Sequence, residues 1–284
     1  MENLKINKNE VYYYFGRLNI ICWYQGEKKN EFLLNSLKSN VKISFRDYKW
    51  GFFNVEKFRY EETDYIYGLL VKYRSTYEEE IVDEENNVLL NTLITDKAVA
   101  KSNFILDLDS KIIAYHPVGK DITPSAFSRF FCKLIKEAND NIFVDIDLQS
   151  ISDEVEIFTA IKNFEKIEFI EIKLHPSNPS NRHIWKRLDE KLREMEVESY
   201  VGIYKSKKGI KIKENDEVFS GIVMAIDGYG EAKIKGTIKN EEKTASTKEN
   251  PIKSLAPKED KIEIIKSLKS TFDQIKGRFK RNED

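Results

Sequence analysis

A chain of 284 residues, 40% hydrophobic and 33% charged, is long enough for one large domain or two modest ones and too apolar to stay disordered. Its net charge of −1 sets up no global field for nucleic acid, and two cysteines, Cys22 and Cys132, both in apolar runs, exclude a disulfide framework. No apolar run approaches the ~20 residues of a membrane span and MENLKINKNE lacks a signal-peptide core, so the cytoplasm is the expected location.

The first hundred residues read as a strand-rich unit. EVYYYFGRLNIICWYQ, VKISFRDYKWGFFNVEKF and DYIYGLLVKYR are dense in aromatic and β-branched residues, which suit a pleated, half-buried surface. Between the first two, Phe32, Leu33 and Leu37 fall at helical spacing. The acidic stretch from Glu61 to Asp96 includes Glu78, Glu79, Glu80, Asp83, Glu84 and Glu85 and reads as a solvated loop or hairpin; within it EEEIVDEENNVLLNTLI forms a hairpin turning at Glu85-Asn86-Asn87.

From residue 101 to 240 strands alternate with helices. NFILDLDSKIIAYHP is a strand pair turning at Asp109-Ser110. Thr123-Pro124 starts a helix, because the Thr oxygen caps free amides and Pro loses no bond at the first helical position; Phe127, Phe130, Phe131 and Leu134 give that helix a buried stripe. NIFVDIDLQS is a strand with Ile142, Val144 and Ile146 on one face. Ser152 is the expected cap of the next helix, whose apolar residues are Val155, Phe158, Ile161 and Phe164. There follow the strand KIEFIEIKLHP, the loop SNPSN, and a helix with Trp185, Leu188, Leu192 and Met195 in line. SYVGIYKSKKGIKIK reads as a hairpin turning near Lys208-Gly209, EVFSGIVMAIDGYG as a helix ended by glycines, and EAKIKGTIKN as a closing strand.

Residues 241–257 show no periodic apolar pattern and read as a linker. Beyond it, within 258–284, Ile265, Leu268, Phe272, Ile275 and Phe279 form the seam of a separate amphipathic helix rich in Lys and Arg. Two heptads are too few for an independent coiled coil, so the seam is expected to dock on its own domain, a sister subunit or a partner. The expected fold class is α+β: a mixed, largely antiparallel sheet with helices packed on it.

Chemistry-bearing residues are sparse. His116 and His175 each precede a proline and His183 opens a helix; a shared metal site would require convergence that spacing does not show, and no metal or cofactor is expected. Asp107 and Asp109, and Asp145 and Asp147, share a strand face by period-2 geometry. Asp145, Asp147, Glu171 and Lys173 superficially match the acid, acid-x-Lys pattern of metal-dependent nucleases, which sets a nuclease as the alternative enzymatic reading. No phosphate-cradling glycine loop or serine elbow occurs. The most suggestive surface is basic: Arg182, Lys186 and Arg187 follow the polar loop Ser177, Asn178, Ser180 and Asn181, and Lys205, Lys207, Lys208, Lys211 and Lys213 crowd the next hairpin. Together they could track a phosphate backbone, whereas lysines guarding a sheet edge would explain them equally.

The run NFILDLDSKIIAYHPVGKDITPSAFSRFFCKLI, then NIFVDIDLQSISDEVEIFTAI, then KIEFIEIKLHP resembles the middle of the Rex A phage-exclusion proteins and related bacterial defence-locus proteins. The resemblance covers roughly residues 103 to 175 and rests on a strand pair, a helix opening at Thr-Pro, and a strand, helix, strand continuation. It implies a cytoplasmic, dimeric protein that binds DNA or a phage-made assembly in abortive infection, and it transfers no catalytic residue. The leading expectation is therefore a non-enzymatic antiphage protein, a homo-oligomer that binds DNA or RNA through residues 182–213. A third expectation is an adaptor whose terminal helix recruits another protein, for instance one encoded in the same operon.

Overall fold

The computed structural model describes residues 10–22, 26–140, 144–177, 182–214 and 216–280. Its centre is β1 (Glu10–Cys22), a 13-residue strand whose two edges are both occupied. On one edge lies β8 (Ile112–Tyr115). On the other, β9 (Val144–Ser150) and β14 (Lys253–Pro257) lie end to end, since Gly16 faces Ser150 while Tyr14 faces Lys253. Outward from β8 the antiparallel sheet continues through β7 (Ala98–Asp107), β4 (Thr63–Tyr73), β3 (Tyr48–Tyr60) and the edge strand β2 (Lys42–Phe45). The sheet thus joins strands from both sides of residue 100.

Alternation along these strands explains why both faces are apolar. Leu18, Ile20, Ile66, Phe104, Leu106 and Ile113 point to one face, covered by α1 (Glu27–Lys38) and α2 (Pro124–Glu137). Thr123 caps α2 as expected, its oxygen accepting from the Ala126 amide. Tyr13, Phe15, Tyr65, Ile105, Ile112 and Ala114 point to the other face, which α6 (Lys261–Lys280) covers. The seam residues Ile265, Leu268, Phe272 and Ile275 are fully buried there, and Phe272 meets Phe15 and Tyr65 edge-on at 5.2 and 5.7 Å. The terminal helix is therefore not a separate, tethered element. Its seam is closed by its own chain, which removes it as a surface for recruiting a partner.

The expected linker is ordered as well. Residues 241–257 include β13 (Glu241–Ser246) and β14. Each lies at a sheet margin with a single long neighbour, so only a few of its residues need be apolar: Ala245 in one, Ala256 in the other. Lys239 and Asn240, with φ of 52° and 63°, form the two-residue turn that right-twisted hairpins prefer.

Residues 153–250 form an insertion between β9 and β14. Its sheet runs β11 (Tyr200–Lys205), β10 (Lys166–Leu174), β12 (Gly230–Ile238), β13, all antiparallel. Ile170, Ile172, Leu174, Ala232 and Ile234 share a core with α3 (Glu154–Lys162), α4 (His183–Glu194) and α5 (Glu217–Ile226). The cap of α3 is Asp153, which accepts from the amides of Val155 and Glu156; Ser152 is buried, and its hydroxyl donates to the Thr247 carbonyl. Of the expected α3 stripe, Phe158, Ile161 and Phe164 pack inward, while Val155 is exposed and Ile157 takes the central place. Met195 is likewise exposed, just past the end of α4. After β11 the chain turns at Gly209 but does not return as a strand. Ile210 bonds across the start of β10, and Ile210 and Ile212 then settle onto the core. The acidic run forms β5 (Thr76–Asp83) and β6 (Val88–Thr95), a two-stranded sheet turning through residues 84–87 as expected. No helix among the described residues is long and apolar enough to cross a membrane.

Candidate functional site

The helices of the insertion cover one face of its sheet and leave the other open. Because side chains alternate, the inward set of β10 and β12 fixes the outward one: Phe169, Glu171 and Lys173 on β10, and Glu231, Lys233 and Lys235 on β12. The register aligns Phe169 with Lys235 on one side and with Lys205 of β11 on the other. Both ammonium groups lie 5.8 Å from the centre of the Phe169 ring, within cation–π range. An aromatic platform thus stands between two cations at the middle of an open sheet face. Lys207 and Lys208, both exposed, extend the positive charge from the end of β11.

The other end of this face closes against β9. There Lys136, Asp145, Asp147, Gln149, Lys173 and His175 line a polar pocket of about 410 Å³. His175 Nε2 lies 3.5 Å from Asp147 Oδ2, while its Nδ1 lies 3.1 Å from the Glu198 carbonyl. Burial pushes the Asp147 carboxyl upward, but hydrogen bonds from His175 and Gln149 outweigh it and hold the group below the usual carboxylate range. Asp147 in turn holds His175 above its ordinary range, against the effect of burial.

The nuclease pattern is only partly assembled. Asp145, Asp147 and Lys173 border this pocket, but Glu171 is not among its lining residues. Lys136 binds Asp145 at 2.6 Å, Lys173 binds Glu171 at 3.1 Å, and Asp147 is engaged as above, so each carboxylate is matched by a group of the protein itself. Among the described residues no three His, Cys, Asp or Glu side chains gather as a metal site would require. His116 instead approaches the Tyr12 carbonyl at 3.2 Å, and His183 lies exposed at the start of α4. Asp107 is fully buried, accepting from the Asp109 and Ser110 amides and pairing with Lys276 of α6, so it is a structural group. Cys132 is also buried, and burial pushes its thiol up, away from the reactive thiolate.

The expected basic patch is divided. Lys186 and Arg187 are exposed on α4, on the helical side of the insertion, and Lys186 lies 4.0 Å from Glu190. Lys205 belongs to the opposite, open face. Lys211 is exposed between the two inward isoleucines and Lys213 is exposed just after them. Asn178, Ser180 and Asn181 of the polar loop, and Ile142, lie outside the described residues; Ser177 is buried and bonds Asp189.

Arg182 has a different task. It binds Glu154 at 3.0 Å and reaches Asp227, a fully buried carboxylate, at 3.6 Å. Asp227 also accepts from Trp185 Nε1 at 2.9 Å and pairs with Arg278 of α6 at 3.3 Å, while its main-chain carbonyl accepts from Arg17 of β1 at 2.8 Å. The Arg17 guanidinium lies between the Tyr229 and Phe279 rings, 4.6 and 4.8 Å from their centres. Gly228 makes this approach possible: its φ is +86°, and a Cβ there would lie 2.8 Å from that of Arg17. The network ties the insertion, β1 and α6 together at one point. Its Glu154, Arg182 and Arg278 also line a cleft of about 1450 Å³ between α3, the segment before β14, and α6. The two guanidiniums of that cleft, Arg182 and Arg278, are already neutralised by Glu154 and Asp227.

An antiparallel α+β body carrying an inserted, open-faced sheet is the class these features define. The model of a family described as a domain of unknown function (DUF4747) matches residues 7–274, and the chain belongs to that family. No curated protein matches it.

Proposed function

We propose that this protein binds single-stranded nucleic acid, without cleaving it, on the open face of its inserted sheet. The observation that carries the reading is the Phe169 ring set between Lys205 and Lys235. A base can stack on such a ring while the flanking ammoniums take the phosphates on either side, and stacking on an exposed sheet is a recurrent way of holding unpaired bases. Lys233 continues the cationic track along the face, with Lys207 and Lys208 at its other end. The carboxylates nearby each have a partner in the protein, which supports binding rather than phosphodiester chemistry. The resemblance of residues 103–175 to the Rex A proteins supports a role in phage defence. Expression in a phage-sensitive bacterium that leaves plating efficiency unchanged rejects that role.

Fluorescence anisotropy with labelled single strands and duplexes at two salt concentrations tests the binding. Phe169→Ala should weaken single-strand binding by about 1–3 kcal/mol. Lys205→Ala or Lys235→Ala should lower the slope of log affinity against log salt by roughly 0.7 each. Lys186→Ala, on the opposite side, should leave binding unchanged. No affinity for any strand at low salt, or single-strand binding unchanged by Phe169→Ala, rejects the reading; degradation of the oligonucleotide with Mg²⁺ rejects its non-enzymatic part.

A further inference from the structure

The β5–β6 ribbon continues the β4–β7 pair past the end of the main sheet: the Arg74 amide bonds the Lys97 carbonyl and the Asp96 amide bonds the Ser75 carbonyl before the arm begins. β5 and β6 then pair with each other as a separate two-stranded sheet. The register puts Val82, Leu89 and Leu93 on one side of this arm and Ile81, Val88 and Leu90 on the other. All six are exposed, Val82 by 69% and Leu89 by 64%. A lone two-stranded ribbon is marginal in water, and apolar groups on both of its sides amount to an unfilled interface. Residues 76–95 also contain six acidic residues and no Lys or Arg.

A surface of opposite character lies beside the root of the arm. Among the described residues β2 is an edge strand paired with β3 alone, and its Phe45 is 39% exposed. The guanidiniums of Arg46 and Arg129 lie 5.4 and 4.9 Å from the centre of the Phe45 ring. Next to it, the Tyr48 ring carries Lys72 at 4.2 Å, and Arg74, the residue two before the arm, reaches the Tyr48 hydroxyl at 3.4 Å.

We propose that the arm of one protomer docks on the Phe45–Arg46–Arg129 edge of a second copy of this chain, and the reverse, in a two-fold dimer. Three features select this occupant. The charges are complementary, whereas arm against arm would set acid on acid. The arm and the patch sit at the same end of the molecule, so a two-fold axis beside that end forms both contacts at once and closes the assembly. Each arm offers 16 residues of strand, and with the patch it covers reaches the 20–30 residues a side of an ordinary stable interface. An anionic membrane, the other apolar destination, is disfavoured by the six acids.

Light scattering coupled to size exclusion reads the outcome on the full chain. Wild type should have twice the chain mass at micromolar concentration. Glu78→Lys with Glu80→Lys reverses the charge on the Val82–Leu89–Leu93 side of the arm, and Arg46→Glu with Arg129→Glu reverses the patch; each doubly substituted chain alone should be monomeric. Mixed, they should recover a dimer, because both reciprocal contacts are again between opposite charges, and recovery also shows that both chains are folded. A monomeric wild type, dimers retained by either altered chain alone, or no dimer on mixing overturns the proposal.

Discussion

Replacing Phe272 by alanine removes the centre of the seam by which α6 holds the main sheet. The ring is fully buried and touches Phe15 and Tyr65 edge-on. Truncating a buried Phe to Ala costs about 3–5 kcal/mol, of which each aromatic pair accounts for roughly 0.5–1.5. Against a typical total of about 5–15 kcal/mol, that is roughly a fifth of the stability or more. Urea unfolding followed by far-UV circular dichroism should show the midpoint falling by that energy divided by an unchanged slope. Lys266→Ala, on the exposed side of the same helix, should leave the midpoint close to that of wild type. A loss below about 1 kcal/mol for Phe272→Ala would refute docking of the helix on its own sheet and restore the picture of a free one.

Two further outcomes follow from the interior. Asp227→Ala leaves the Trp185 N–H and the guanidiniums of Arg182 and Arg278 without their buried acceptor and should destabilise by about 3–5 kcal/mol, with Asp227→Asn falling between; equal urea midpoints for all three proteins would dismiss the network as a tie. The Asp147–His175 pair gives a pH signature. His175 is held above 6.5, so its contribution is whole below about 6.5 and is lost as pH rises through its folded value; Asp147 is held below 3.8, so its contribution is present above about 3.8 and is lost as pH falls. His175→Gln should therefore cost most stability between about pH 4 and 6.5 and least in alkaline buffer, and a cost independent of pH would contradict the pairing.

What was legible in the sequence was local. The Thr123-Pro124 cap, the hairpin around Glu85–Asn87 and the seam of α6 each follow from spacing within a few residues. What the seam would cover was not, because an uncovered sheet face is a property of strands distant in the chain. β13 was missed since Lys239-Asn240 is an unusual pair for a turn that needs two positive φ angles, although both residues tolerate it here. The basic site failed in part for a related reason. Arg182, Lys186 and Lys205 are close in sequence, but α4 and β11 present opposite sides of the insertion. Phe169 and Lys235 were overlooked although period-2 alternation in EFIEIK and EAKIKGT assigns each a face; the missing step was the register that sets those strands side by side. Arg17 left a signal too, as a single charge within the apolar run YYYFGRLNII.

The placement of the insertion bears on the order in which this chain can fold. Its first and last residues meet, the Asp153 amide bonding the Asn250 carbonyl at 3.0 Å, so the main sheet receives roughly a hundred residues as if they were a tight turn. While those residues are unfolded, bringing β14 back beside β9 means closing a loop of that length, about 4 kcal/mol of chain entropy by the (3/2)RT ln n relation. Once they are folded, the closure is already made. β14 and the helix that follows it are thus the last pieces of the main sheet to become affordable, and Arg278, near the end of that helix, closes on Asp227 only when the insertion has put that carboxylate in place.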